Sequence, residues 1–239
     1  MSVALFGGTF NPVHIGHLRI AIELAELLQV DSLRMVPCAL PPHRQSPSVS
    51  AEHRLSMLRA GIANHNKLVA DDIELRREGP SYTIDTLRAV RQQIGPDRPL
   101  YLCIGLDVLA TLDTWRDWQQ LTDFCHLIIS SRPGCQLPTT GALAEWVKKH
   151  RCDDLQQLKL LSTGKLHLCD LTMLAVSSTS IRDKVKRGEA KCCANNNAAE
   201  FVGYAQDACA IQREHHDEYA NSCANCLQHD AWVLNVEHF

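Results

Sequence analysis

The sequence predicts an α/β protein built on a doubly wound parallel sheet, and three observations carry that expectation. The chain opens strand–helix–strand within its first 40 residues. The alternation of short apolar runs with helical periodicity then continues to about residue 186. Hydrophobic residues at 45% and charged residues at 21% of 239 supply a proper core and exclude a disordered or fibrous chain.

Val3-Ala4-Leu5-Phe6 is a short apolar run stopped by Gly7-Gly8, the pattern of a buried strand ending in a tight turn. From residue 16 to about residue 29, Leu18, Ala21, Ile22, Ala25 and Leu28 recur at three- and four-residue steps, one face of a helix. Residues 33–36 read as the second strand, after which Pro37, Pro41 and Pro42 force a loop. Two parallel strands joined this way require a right-handed crossover and helices on both sheet faces. A helix at 51–63, an extended segment at 67–75 and a helix at 81–94 follow, with Ser81 as N-cap of the last. A continuous apolar strand at 100–104 ends at Gly105, and Trp118 beyond it reads as core. Then come a strand at 126–130, a helix at 141–150, a strand at 165–168 and a helix at 178–186 capped by Ser177 or Ser178. In open sheets of this kind ligands bind beyond the carboxyl ends of the strands.

Charge and composition narrow the partners. A net charge of −3 gives no reason to expect a nucleic-acid binder, and no apolar run reaches the roughly 18 residues of a membrane span. MSVALFGGTF carries no basic region ahead of its apolar stretch and so lacks signal-peptide anatomy; a cytoplasmic protein is expected. Residues 1–190 contain no repeat or dividing linker and read as one domain, while residues 191–239 read as an atypical Cys-, Asn- and Ala-rich tail, partly helical or disordered. From residue 192 onward one basic residue, Arg213, stands against seven acidic ones, so the body carries +3 and the tail −6. The 11 cysteines are odd in number and five of them crowd that tail, which argues against a disulfide framework. Cys223 and Cys226 form a single CxxC, and His215, His216 and His229 fit no standard finger spacing, so zinc is not expected.

Chemistry concentrates in the segment Gly7-Gly8-Thr9-Phe10-Asn11-Pro12-Val13-His14-Ile15-Gly16-His17. It leaves a strand and enters a helix, where backbone N–H groups and the helix dipole favour an anion. Two glycines let backbone approach a phosphate, Thr9 and Asn11 add donors, and His14 and His17, three apart, share a face with Gly16 between them. Neither GxxxxGK[ST] nor GxGxxG is present. Pro41-Pro42-His43-Arg44 places two cation-capable donors on the ligand edge of the sheet, and Pro80-Ser81-Tyr82-Thr83 opens a helix with a hydroxyl. Asp107, after Ile104-Gly105-Leu106, is placed to accept from a ribose hydroxyl, and Trp115 offers a flat face to a ring. Ser177-Ser178-Thr179-Ser180-Ile181-Arg182 sets hydroxyls and a fixed positive charge at a helix start, and Arg132 is a weaker candidate.

These segments, in this order over residues 1 to about 188, resemble the nicotinate mononucleotide adenylyltransferases of the (H/T)xGH nucleotidyltransferase superfamily. The resemblance implies a Rossmann-like nucleotidyltransferase fold and adenylyl transfer from ATP to nicotinate mononucleotide, giving nicotinate adenine dinucleotide and pyrophosphate. It implies catalytic roles for His14, His17 and Arg182, with His17 nearest the α-phosphate, and ATP contacts at Gly7, Gly8, Thr9, Phe10, Gly16, Gly105, Asp107, Ser178, Thr179 and Arg132. Asn11, His43, Arg44, Thr83 and Trp115 would meet the acceptor, with Trp115 over its ring. Mg²⁺ would arrive with ATP, held mainly by the phosphates rather than by the protein. A mononucleotide phosphate is largely dianionic at neutral pH, so it needs no general base, and catalysis rests on alignment and charge neutralisation. Nicotinamide mononucleotide or phosphopantetheine as acceptor, or a catalytically silent nucleotide-binding protein, are the alternatives. Two features depart from the family pattern: Arg116 follows Trp115 where relatives often carry an aromatic residue or histidine, and the tail lacks the usual compact terminal helix.

Overall fold

The computed structural model describes residues 2–40, 47, 49–62, 65–131 and 136–187. His43, Arg44, Arg132 and the 191–239 tail lie outside the described residues.

Six parallel strands form one sheet. They are β1 (Val3–Gly8), β2 (Ser32–Pro37), β3 (Leu68–Ala70), β4 (Leu100–Gly105), β5 (His126–Ser130) and β6 (Leu166–Cys169), in spatial order β3-β2-β1-β4-β5-β6. The chain builds outward from β1 to β3, then returns to the other side of β1 with β4. The order therefore reverses between β1 and β4, and the crevice at their carboxyl ends is where an open α/β sheet accepts a ligand. Both strands end there in glycine, at Gly8 and Gly105.

Helices α1 (Ile15–Leu28) and α2 (Ala51–Ile62) cover one face; α3 (Thr83–Ile94) and α6 (Gly141–His150) cover the other. The strand period of two divides the core accordingly. Ala4, Tyr101 and Cys103 pack with Leu24, Leu28 and Leu58 on the first face, while Leu5, Leu102 and Ile104 pack with Ile84, Leu87 and Trp146 on the second. Between β4 and β5 the chain runs through α4 (Leu106–Leu109), two single 3₁₀ turns at Leu112–Thr114 and Trp118–Gln120, and α5 (Leu121–Phe124). A short α7 (Leu155–Lys159) precedes β6, and α8 (Ser178–Lys186) ends the described chain. Among the described residues no helix is long and apolar enough to cross a membrane.

Three local expectations are corrected. The extended segment at 67–75 keeps strand pairing only over Leu68–Ala70, because Asp71 accepts from the Ile73 N–H at 3.0 Å and Asp72 from Leu75 and Arg76 through its carbonyl, turning the chain. Ser81 does not cap α3; its hydroxyl accepts from the backbone N–H groups of Ala39 and Leu40, and Tyr82 occupies the cap position. Trp118 is half-buried at the rim of the second core, edge-on to the buried Trp146 at 5.4 Å.

Candidate active site

The turn from β1 into α1 builds the floor of the site. His14 stands at the N-cap in extended conformation, and its carbonyl accepts from the N–H groups of His17 and Leu18. The His14 N–H in turn donates to Nδ1 of His17 at 3.3 Å. A ring nitrogen that accepts carries no proton, so this bond favours the tautomer with its proton on Nε2. The two imidazoles stack at 3.8 Å between centroids, and Phe10 abuts His17 edge-on at 5.1 Å. Burial pushes the His14 pKa below its ordinary value. Burial thus favours the neutral ring at His14, and the bond to Nδ1 orients the His17 ring beside it.

Space beside the backbone is tight at two glycines. A Cβ at Gly16 would lie 3.0 Å from Cγ1 of Val176 and 3.1 Å from Nδ1 of His14, so this helix turn passes directly beneath both. A Cβ at Gly8 would lie 2.8 Å from the ring of Phe10. Phe10 itself is 2% exposed with φ of 46°, so its side chain packs below the site instead of facing a ligand.

Arg54, on α2, was not anticipated as a site residue. It is 1% exposed and donates to the carbonyls of Thr9 at 2.6 Å, Cys38 at 2.7 Å and Val49 at 3.3 Å. Burial lowers its pKa from a value so high that the guanidinium stays charged. One buried cation thus holds the turn after β1, the exit of β2 and the start of α2 in register, and a Cys38 N–H to Gly8 carbonyl bond of 2.9 Å completes the closure. The sequence does carry a signal for it: Arg54, Leu58 and Ile62 form an i, i+4, i+8 stripe in which arginine takes an apolar place.

The opposite wall comes from α8. Ser177 caps this helix, accepting from the Ser180 N–H at 3.1 Å, while Ser178 Oγ donates to the Pro12 carbonyl at 2.9 Å. Arg182 donates to the Asn11 carbonyl at 2.6 Å and to Thr179 Oγ1 at 3.1 Å. No residue of α8 is buried, so these bonds to the 11–12 segment do much of the docking. The approach to α8 is fixed by Glu23, which accepts from the Thr172 N–H at 2.7 Å.

Between these walls lies a cavity of about 910 Å³ at the carboxyl ends of β1 and β4. Gly7, Gly8, Thr9, His14, Gly16 and His17 line its floor. Gly105 and Asp107, in the first turn of α4, line one side, and Ser178 and Thr179 the other. Thr83, the first residue of α3, and Trp115 bound its far end. Phe10, Asn11 and Arg182 are not among the residues that line it. The far end also holds a polar group that sequence reading missed: Thr86 donates to Glu74 Oε1 at 2.8 Å and accepts from Arg77 at 2.5 Å, with Cys38 and Ser81 beside it. Desolvation and Glu74 together push the Cys38 thiol up to about 11, so it stays protonated.

Residues 5–184 match the family model described as cytidylyltransferase-like. A protein of Chromohalobacter salexigens named a probable nicotinate-nucleotide adenylyltransferase is 43% identical over 188 residues, 78% of this chain and 86% of its own length. Its namesake in Pseudomonas syringae pv. tomato is 41% identical over 187 residues, 78% of this chain and 84% of its own. Among solved structures, the nicotinic acid mononucleotide adenylyltransferase of Plasmodium falciparum, complexed with NaAD, superposes with a TM-score of 0.63 over 88% of this chain and 97% of that one. At 17% identity that likeness speaks for the fold alone. With a glycine-floored cavity at the β1/β4 reversal and sequence identity of this extent across nearly all the described residues, the chain belongs to the nicotinate-nucleotide adenylyltransferase family of the cytidylyltransferase-like proteins.

Proposed function

We propose that this chain transfers the adenylyl group of ATP to nicotinate mononucleotide, releasing pyrophosphate and forming nicotinate adenine dinucleotide for NAD biosynthesis. The observation that carries the reading is a single cavity with two unlike ends: a glycine, histidine and hydroxyl floor at a helix N-terminus, and an aromatic and hydroxyl end at Trp115 and Thr83. The names of the relatives agree with it.

In this reading the α-phosphate lies over the start of α1, where free N–H groups and the helix dipole favour negative charge. His17 donates from Nε2 to an α-phosphate oxygen, and His14, stacked on it, supports the same oxygen or its bridge. Because the acceptor phosphate is already largely dianionic, neither imidazole has to take a proton. Each holds one at a fixed place while charge builds on the transferring group. Gly7, Gly8, Thr9 and Gly16 leave room for the triphosphate, Ser178 and Thr179 meet its β- and γ-phosphates, and Asp107 and Gly105 take the adenosine ribose. Arg182 reaches the phosphates by giving up its bond to the Asn11 carbonyl. His43, Arg44 and Asn11 on the acceptor side, and Arg132 on the ATP side, keep the roles that the family resemblance gives them. ATP as co-substrate fits a cytoplasmic site of action.

A divalent cation fits this cavity as a passenger of ATP. Among the described residues no three or more of His, Cys, Asp and Glu cluster as a metal cage, whereas phosphates and water suffice for Mg²⁺. Bound there, Mg²⁺ supplies neutralisation of the triphosphate and of the departing pyrophosphate.

The test is pyrophosphate release by the full chain with Mg²⁺-ATP and, separately, nicotinate mononucleotide, nicotinamide mononucleotide and phosphopantetheine. Release with the first far above the others is expected. Release with phosphopantetheine alone, or with none of the three, overturns the reading.

A further inference from the structure

We propose that Arg116 is a positioning residue that sets the gap between Trp115 and Thr83, and through that gap the affinity for the acceptor's ring. The inference rests on the acceptor reading of this end of the cavity. Trp115 and Thr83 belong to different elements, the C-cap of a single 3₁₀ turn and the first residue of α3, so nothing in local chain geometry fixes their separation. Arg116 does. Its Nη2 donates to both carboxylate oxygens of Asp85, at 2.7 and 2.6 Å, and its guanidinium carbon sits 4.1 Å from the centroid of the Tyr82 ring. Tyr82 and Asp85 flank Thr83 on the same turn, and the backbone of Arg116 directly follows Trp115. One side chain therefore grips the Thr83 turn while its own main chain carries the tryptophan.

A second brace runs parallel to the first. Arg88, one turn further along α3, bonds Asp85 at 3.3 Å and Gln120 at 3.1 Å and pairs with Asp117 at 3.5 Å. Two arginines and two aspartates leave this assembly without net charge. It has no long-range pull on an anionic substrate, which favours a geometric role over an electrostatic one. The Arg116 and Asp85 side chains are 43% and 34% exposed, so their ion pair contributes little to global stability. Stacking on Tyr82 and the shared carboxylate make it a local constraint on two cavity residues.

The experiment compares the full-length protein with its Arg116→Ala, Arg116→Lys, Asp85→Asn and Arg116→Ala/Asp85→Asn variants. Steady-state kinetics use nicotinate mononucleotide and its amide, and amide hydrogen exchange follows residues 112–118. Arg116→Ala is expected to raise the acceptor KM roughly five- to thirtyfold, by the same factor for acid and amide. ATP KM and kcat should stay within about twofold. The double variant should lie within about twofold of Arg116→Ala, since both changes cut the Arg116–Asp85 tie and Asp85→Asn adds only the loss of the longer, exposed Arg88 bond. Lysine should restore part of the loss, having a charge but no planar fork to stack. Exchange at 112–118 should quicken in Arg116→Ala with the thermal midpoint unchanged. An unchanged acceptor KM, an equal rise in ATP KM, or a rise confined to the acid acceptor overturns the proposal; the last would make Arg116 a direct carboxylate contact. If the wild type turns over neither acceptor, the adenylyl-transfer reading fails by itself. Exchange still decides the brace: quicker exchange upholds the tie, and unchanged exchange removes it.

Discussion

His17 is oriented by its neighbours. The His14 N–H fills Nδ1, the stacked His14 ring covers one face, and the Phe10 ring meets it edge-on at 5.1 Å; in the proposed reaction Nε2 is the nitrogen that turns to a phosphate. Removing a preorganised donor of this kind typically costs about 10²–10³ in kcat. His17→Ala should show that loss in pyrophosphate release with an unchanged circular dichroism spectrum; a change confined to ATP KM would mean that His17 only binds the ground state. A different histidine governs acid sensitivity. His126 is fully buried under Tyr101, its Nδ1 accepts from the Lys165 N–H at 3.2 Å, and its Nε2 lies 3.0 Å from the Leu161 carbonyl. Both nitrogens are committed to the neutral ring, and burial lowers the pKa below the ordinary 6.5. The unfolded chain then binds the proton first, so stability holds above about pH 6.5 and falls as pH drops from there through the folded-state value. Thermal midpoints measured from pH 7.5 to 5 should decline below 6.5, and less steeply in His126→Gln. Equal slopes would assign the decline elsewhere, including to His14, which shifts the same way.

Among the described α-helices, α8 is the one that buries no residue. It meets the turn between β1 and α1 through Ser178 to Pro12 and Arg182 to Asn11. Ser178→Ala removes one of these ties and should raise ATP KM several-fold and quicken hydrogen exchange over 178–187, while the thermal midpoint moves little. A large midpoint shift would show that α8 is part of the cooperative core. This helix also marks what the sequence makes legible. Its start was expected at Ser178 because a run of hydroxyls before an amphipathic segment is a local cap signal. The strand–Gly-Gly–helix turn and the six strands are legible for the same reason, since apolar period and glycine placement act over a few residues. Ser81 misleads because its hydroxyl serves the backbone of residues 39 and 40, some forty positions away, where no local pattern points. The Thr86–Glu74–Arg77 group and Arg54 are hidden likewise: ordinary polar residues at helical spacing that become a cavity wall and a buried clamp only once β1, β2 and α2 meet.

At the scale of the whole molecule, the site belongs to neither half of the sheet. The floor comes from β1 and α1, one side from β4 and α4, another part of the lining from α3 and the residues at the 3₁₀ turns, and the remaining wall from α8. Buried Arg54 and the β1–β4 pairing lock those parts into one frame. A ligand that spans the β1–α1 floor, the β4–α4 side and the α8 wall binds only when those three are docked, so its binding energy opposes unfolding of the entire domain rather than of a loop. ATP with Mg²⁺ at about 100 times its Kd should then add about 2.7 kcal/mol to unfolding. For a domain of this size that moves a single thermal transition upward by roughly 5–10 °C. His17→Ala and Ser178→Ala, each loosening one wall, should shrink the rise at the same ATP concentration without splitting the transition. Calorimetry distinguishes the alternatives. One peak moving intact means that the two halves of the sheet unfold together around the site. A fixed main peak with a small mobile shoulder would mean that ATP is held by one half alone, and the β1/β4 reversal would lose its claim as the binding crevice.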